Sequence, residues 1–406
     1  MLKNISKKYF SQSTQSIVIV NGKRTPMGSF MGRLSSIHPA LLASAAIEGA
    51  LQASKINKEE VDEVILGNVL SSGLGQAPAR QAAIKAGLLP STVCTTINKV
   101  CSSGMKSVHF AAQSIMTGNS DIVVAGGFES MSLVPHYLYV RKALPWGDPT
   151  LVDGIRHDGL TDSFSKLIMG SCAEKVNRDL KIGRKEQDDW AIRSYERAIA
   201  ANKEGRMQKE MVHIVAETGK KGQQETISED EECFRFMKEK IPTLKPAFEK
   251  DGTITAANAS KNSDGACALV LMTEENAKKR GLTPIARIRG FADAEIDPIN
   301  FSIAPSSAIQ KLLKRCNLNI NEIDAFEIGE AFAGTVLANM KLLNIPEDKI
   351  NLNGGAVSLG HPIGMSGARI ILSLVNVLQS KNGRLGLASI CNGGGGASSI
   401  LIERLQ

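Results

Sequence analysis

Several features are scarce in this chain, and each scarcity excludes a class of protein. Aromatic residues fill 4% of the 406 positions, so no basic stripe interleaved with stacking rings is available for nucleic acid. The 7 cysteines are odd in number, run from Cys94 to Cys391, and never form a C-x-x-C pair. That pattern suits neither a disulfide framework nor a structural zinc knuckle, and it fits a reducing compartment in which thiols act singly. No apolar run approaches the roughly 18–20 residues needed to cross a bilayer, so no membrane is expected. No acidic residue precedes Glu48, while the opening MLKNISKKYFSQSTQS carries Lys3, Lys7, Lys8 and several hydroxyls. A basic, acid-free, hydroxyl-rich start predicts a mitochondrial transit peptide over residues 1–15.

What remains is globular: 43% hydrophobic, 22% charged, with a formal net charge of +7 spread along the chain. The length predicts two or three domains. The mild basic excess leaves a small anionic ligand open.

Ordered structure is predicted to begin at Ser16–Val20, a β-branched run. An Ala/Leu-rich helix follows over LLASAAIEGALQAS, then strands at Val61–Gly67, Thr95–Val100 and Asp121–Gly126. Between the last two, Met105, Val108, Ala112 and Ile115 recur at helical spacing. Strand–helix alternation predicts α/β layers over a parallel or mixed sheet. From 134 to 263 the texture is more charged, with a long helical pattern over Arg184–Glu204, and reads as an inserted loop domain. The α/β pattern resumes at Cys267–Thr273. VDEVILG near residue 61 returns as IDAFEIG near 323, and SSGMKSV (Ser102–Val108) returns as MSGARII (Met365–Ile371). The shared offset of 262 or 263 residues predicts duplicated halves.

Three segments have the composition of a reactive site. In NKVCSSGMKSV, Cys101 lies between an apolar strand and a helix. A helix start offers unpaired N–H groups and a positive dipole end, which predicts a lowered thiol pKa, with Ser102 and Ser103 as caps. A buried structural cysteine is the competing reading. In NGGAVSLGHPIGMSGARI, His361 is held between Gly360 and Pro362. An imidazole near neutral pKa there could take a proton from a thiol or donate to an oxyanion. In LASICNGGGGASSI, Cys391 is followed by Asn392 and four glycines, a run suited to baring backbone N–H groups towards a carbonyl. A P-loop would need a Lys-Ser/Thr ending, which is missing. Two cysteines and a histidine in glycine-rich turns fit acyl transfer through a thioester.

From about Ser16 to the end the chain resembles a thiolase, on NKVCSSG, GGFESMS, GHPIGMSGAR and ICNGGGG in order and spacing. ITAANAS, FADAEIDPINFSIAP and GGAVSLGHPIGMSGARI make it most like the family's mitochondrial acetoacetyl-CoA branch. The resemblance implies two βαβαβαββ halves in a five-layered αβαβα fold. It divides the chain into 16–133 plus 264–284, a coenzyme A-binding loop domain at 134–263, and 285–406. It implies interconversion of two acetyl-CoA with acetoacetyl-CoA and free CoA, with no organic cofactor. Cys101 would be the acylated nucleophile, His361 its activator, and Cys391 the acid/base for the α-proton. Backbone N–H groups of Cys101 and Gly393 would form one oxyanion hole, and His361 with a water the other. Tyr195, Arg235, Lys240 and Ser260 would meet coenzyme A. A potassium ion would be held by Tyr195 and by carbonyls of Ala256, Ala257, Ala259 and Val357. A mitochondrial matrix homotetramer is implied.

Two residues depart from the family's pattern. Gly329 replaces the usual asparagine of Asn-Glu-Ala-Phe, which holds the water of the first oxyanion hole. Ser302 replaces a proline, which bears on 2-methyl-branched substrates. A broader 3-ketoacyl-CoA thiolase and a catalytically silent acyl-CoA binder are the alternatives.

Overall fold

The computed structural model describes residues 15–141, 146–217 and 223–406, so the expected transit segment lies, but for residue 15, outside the described residues. Strand β1 (Ile17–Arg24) shows how the sequence builds the core. Ile17 and Ile19 enter one apolar cluster, whereas Val18 and Val20 enter another on the opposite face. That period of two, with both faces apolar, marks a strand covered on both sides.

The other main strands are β2 (Glu63–Gly67), β3 (Val93–Ile97), β4 (Ile122–Ser130), β5 (Ser263–Thr273), β6 (Ala286–Glu295), β7 (Ala325–Ile328), β8 (Leu385–Asn392) and β9 (Gly396–Arg404). Their lateral order is β7-β8-β9-β6-β1-β5-β4-β2-β3. On one side β2 runs parallel to β4, with β4–β5 and β5–β1 antiparallel. On the other, β7 runs parallel to β8, with β8–β9 and β9–β6 antiparallel. The two halves thus repeat one topology, and they join through Ile17–Ile19 against Ala286–Ile288.

Helix α1 (Pro39–Ser54) covers the outer face of the first half-sheet. Helix α2 (Ser103–Met116) lies in the middle with a later helix, Ile363–Lys381, which touches both half-sheets. The segment 134–263 contributes helices α3 (Met169–Asp179) and α4 (Arg184–Lys203) and two short ribbons. Its seam with β1 is pinned by the fully buried Arg24, which pairs with Glu210 at 2.6 Å and Asp230 at 2.7 Å. Helix α5 (Ala304–Cys316) covers β6 and β9 on the far side, and α6 (Ala333–Leu343) and α7 (Ile363–Lys381) follow. Five layers result: α1, half-sheet, α2 with α7, half-sheet, α5.

Among the described residues, α7 alone has the length and apolarity of a membrane span, yet 83% of that stretch is buried inside the protein. It is a core helix.

Candidate active site

The middle layer delivers the reactive side chains. Cys101 follows a turn in which Val100 takes φ 47°, a conformation β-branched residues avoid. Local bonds hold it: Asn98 Oδ1 accepts from Val100 N at 2.9 Å, and Ser103 Oγ donates to Val100 O at 2.6 Å while accepting from Lys99 N at 2.8 Å. The serines therefore brace the turn, and neither makes the side-chain cap expected at α2. Ser102 Oγ lies 3.0 Å from Ile390 O and 2.9 Å from Asn392 Oδ1, tying this turn to the strand that carries Cys391.

The Gly393 N–H favours the Cys101 thiolate, and Cys101 is close enough to Cys391 to oppose its ionisation. Cys391 and His361 line one tight crevice with Gly329, Ser366, Arg369 and Ile390. Cys391 thus neighbours both Cys101 and His361, residues far apart in the sequence.

The electrostatics differ from the sequence expectation. Burial pushes the Cys101 thiol up to about 11, overriding the Gly393 N–H, instead of lowering it at a helix start. Cys391, 1% exposed, is raised further by burial and by Cys101. His361 is lowered to about 4, by burial and by the Arg369 guanidinium, rather than staying near neutrality. The resting site is therefore neutral. Ser366 Oγ donates to Pro362 O at 3.0 Å, so it accepts from His361 Nδ1 at 2.6 Å. That leaves His361 Nε2 as a buried lone pair without a partner, free to receive a proton.

Gly329 is not simply a vacant asparagine position. A Cβ there would stand 2.7 Å from Ile390 Cγ1, so the isoleucine already occupies that space. Ser302 sits outside the cavity lining; its carbonyl accepts from Asn339 Nδ2 at 2.8 Å.

A cavity of about 530 Å3, within the range that holds small molecules, opens beside the cluster that contains Cys391. Met169, Ala259 and Phe332 line it and also pack in the apolar cluster that contains Cys391. Ser260 and Arg235 are in its wall, and Arg235 joins Tyr195 and Lys240 in an adjoining hollow. Arg235 already pairs with Glu231 at 2.6 Å.

The residues expected around potassium do gather, but around an amine. Lys261 Nζ donates to Ala259 O at 2.7 Å and Val357 O at 3.2 Å, and lies 5.7 Å from the Tyr195 ring centre. Ala256 and Ala257 line the same hollow. Burial lowers Lys261 to about 8 against the attraction of Glu232 and Glu330. This donor set does not fit a potassium ion, because an ammonium of like charge uses two of its carbonyls. At about 4 Å two such charges would repel by roughly 4 kcal/mol at an effective dielectric of 20.

Sequence reasoning also missed two buried carboxylates. Glu129, in GGFESMS, accepts from Val69 N and Leu70 N, both at 3.1 Å, and Gly364 N at 2.9 Å, fixing the start of α7. Glu330 accepts from Trp190 Nε1, Ser194 Oγ, Asn351 Nδ2 and Val357 N, joining α4 to the turn before His361. Each lies in a motif the family shares, which was the available signal.

The chain matches the thiolase N-terminal domain over residues 17–275 and the thiolase C-terminal domain over 282–404. It is 52% identical to the protein named "Acetyl-CoA acetyltransferase, mitochondrial" of Homo sapiens, over 100% of this chain and 94% of that one. It is 50% identical to "Probable acetyl-CoA acetyltransferase" of Dictyostelium discoideum, over 99% and 97%. The crystal structure of Acat5 thiolase from Ascaris suum in complex with coenzyme A superposes with a TM-score of 0.91 at 44% identity, covering 96% of this chain and 100% of that one. The Bacillus anthracis acetyl-CoA acetyltransferase structure gives 0.93 at 38% identity, covering 97% and 100%.

Proposed function

Because the chain belongs to the thiolase family, we propose that it is an acetyl-CoA acetyltransferase, converting two acetyl-CoA to acetoacetyl-CoA plus CoA and running thiolysis in reverse. The observation that carries this is the nearness of Cys391 both to Cys101 and, across a tight crevice, to His361, with the Cys391 cluster sharing Met169, Ala259 and Phe332 with the cavity wall. The chemistry closes on these groups. His361 Nε2 takes the Cys101 proton as the sulfur attacks acetyl-CoA, and the Cys391 thiol protonates the departing CoA thiolate. Cys391, now a thiolate whose burial makes it a strong base, removes the α-proton of the second acetyl-CoA. The resulting carbanion attacks the acetyl group, and the Cys101 thiolate leaves and recovers its proton from His361.

With Cys101 near 11 and His361 near 4, a Cys101–His361 ion pair is disfavoured before bond formation, so proton transfer accompanies carbon–sulfur bond formation. The charge then left on His361 is balanced by the Cys391 thiolate in the same crevice. Backbone N–H groups of Cys101 and Gly393 form one oxyanion hole in this reading. His361 with a water forms the other. Tyr195, Arg235, Lys240 and Ser260 receive coenzyme A. The halves 16–133 plus 264–284 and 285–406 carry the chemistry, and 134–263 is the coenzyme-binding domain.

We place the protein in the mitochondrial matrix, following relatives named mitochondrial. A homotetramer fits the exposed apolar side chains Val93, on edge strand β3, and Tyr139, Val140 and Leu151; sedimentation tests it. For the reaction, labelled acetyl-CoA followed by peptide mapping is expected to mark Cys101, and acetoacetyl-CoA to form. An unlabelled Cys101 with bound ligand would leave a silent binder, and substantial turnover of long 3-ketoacyl-CoAs would favour the broader enzyme.

A further inference from the structure

Lys261 is a half-buried cation that the reaction above does not use. Its ammonium reaches two carbonyls, Ala259 O at 2.7 Å and Val357 O at 3.2 Å, and its remaining side is directed over the Tyr195 ring. Two carboxylates, Glu232 and Glu330, attract it from beyond ion-pair distance, while their own oxygens accept from neutral donors: Ser29 and Tyr195 on Glu232, Trp190, Ser194, Asn351 and Val357 on Glu330. The hollow is therefore a negative, carbonyl-lined seat for one monovalent cation.

We propose that Lys261 supplies that cation from within the chain, so that the site binds no exchangeable potassium. The lysine joins three segments: its own loop, α4 through Tyr195, and the turn carrying Val357. The Lys261 carbonyl also accepts the His361 N–H at 2.9 Å. The tethered charge thus positions the imidazole from four residues upstream, through Val357, and directly through the backbone. It acts through His361 and is a positioning residue, not a catalytic one.

The test compares the intact enzyme in potassium, sodium and choline chloride at equal ionic strength. Wild-type Tm, measured without substrate, and kcat/KM are expected to be the same in all three. Lys261→Met keeps the stem and removes the charge. It is expected to lose at least tenfold in kcat/KM in choline and to regain most of the loss, with a rise in Tm, in potassium. A saturable Tm increase of the wild type with potassium alone would overturn the proposal. So would a variant indistinguishable from wild type in choline, or a loss that neither potassium nor methylammonium restores. Should the variant not fold, rubidium-soaked wild-type crystals decide. No anomalous peak at the Ala259 and Val357 carbonyls supports the proposal, and a peak there refutes it. Melting and rubidium readouts need no turnover, so they stand even if the acetyl-transfer reading fails.

Discussion

Gly329 and Ile390 have to be considered as a pair. A Cβ on Gly329 would press on Ile390 Cγ1 at 2.7 Å, so Gly329→Asn alone is expected to destabilise the protein by about 1–3 kcal/mol through overpacking. It is also expected to lower kcat rather than improve the oxyanion hole. Adding Ile390→Ala provides room, and a double-mutant cycle on Tm should then show favourable coupling between the sites. Additive losses would mean that the two side chains do not compete for that space. Ser366 offers a second case. It is the acceptor that fixes His361 with its proton on Nδ1. Ser366→Ala removes that orientation, and a fall in kcat of about 10- to 100-fold, a part of what general acid–base catalysis contributes, is expected with little change in KM. Steady-state kinetics separate this from a packing defect, which would lower Tm without a selective loss in kcat.

Helices α2 and α7 approach closely enough that each glycine of the repeated Ser-Gly pair meets the other helix's backbone. A Cβ on Gly104 would stand 2.8 Å from Ala368 N, and one on Gly367 would stand 2.4 Å from Met105 N. Gly367→Ala must therefore push the two helices apart and is expected to cost about 1–3 kcal/mol or more. Acylation of Cys101 should slow as well, since the nucleophile's turn leads into α2. A variant with unchanged Tm would show that the helices separate freely. The same glycines explain why the duplication was legible: a residue that only glycine can fill leaves an echo at a fixed offset. Glycine crowding around Cys101, His361 and Cys391 was legible for the same reason. Lys261 was not, because a basic residue in a polar segment reads as solvated until the fold covers it; nor was Arg369, whose partners across an apolar helix appear only once the fold packs that helix. The direction of the Cys101 shift was misread because a helix start is visible in sequence, whereas the desolvation that outweighs it comes from Val69, Leu70, Met131, Ile155 and Ile363.

Across the whole molecule the buried thiols set a limit at alkaline pH. Burial raises Cys101 to about 11 and Cys233 to about 12, and holds Cys267 and Cys391 higher still. In the unfolded chain these thiols ionise near 8.5–9. As pH rises past 9, the unfolded state loses protons that the native state keeps, so νU − νN is negative and stability falls. The loss begins at the unfolded value and continues until the native thiols ionise, at about 11 for Cys101. Each thiol contributes up to about 1.4 kcal/mol per pH unit in that window. A Tm that declines from pH 9 to 11 is expected. Cys267 lies on β5 in the central apolar cluster and takes no part in the proposed proton transfers, so Cys267→Ala probes this linkage without removing a reacting group. The variant starts lower, by the cavity it opens, but its decline with pH should be shallower than that of the wild type. Parallel curves for the two proteins would assign the alkaline loss to other groups.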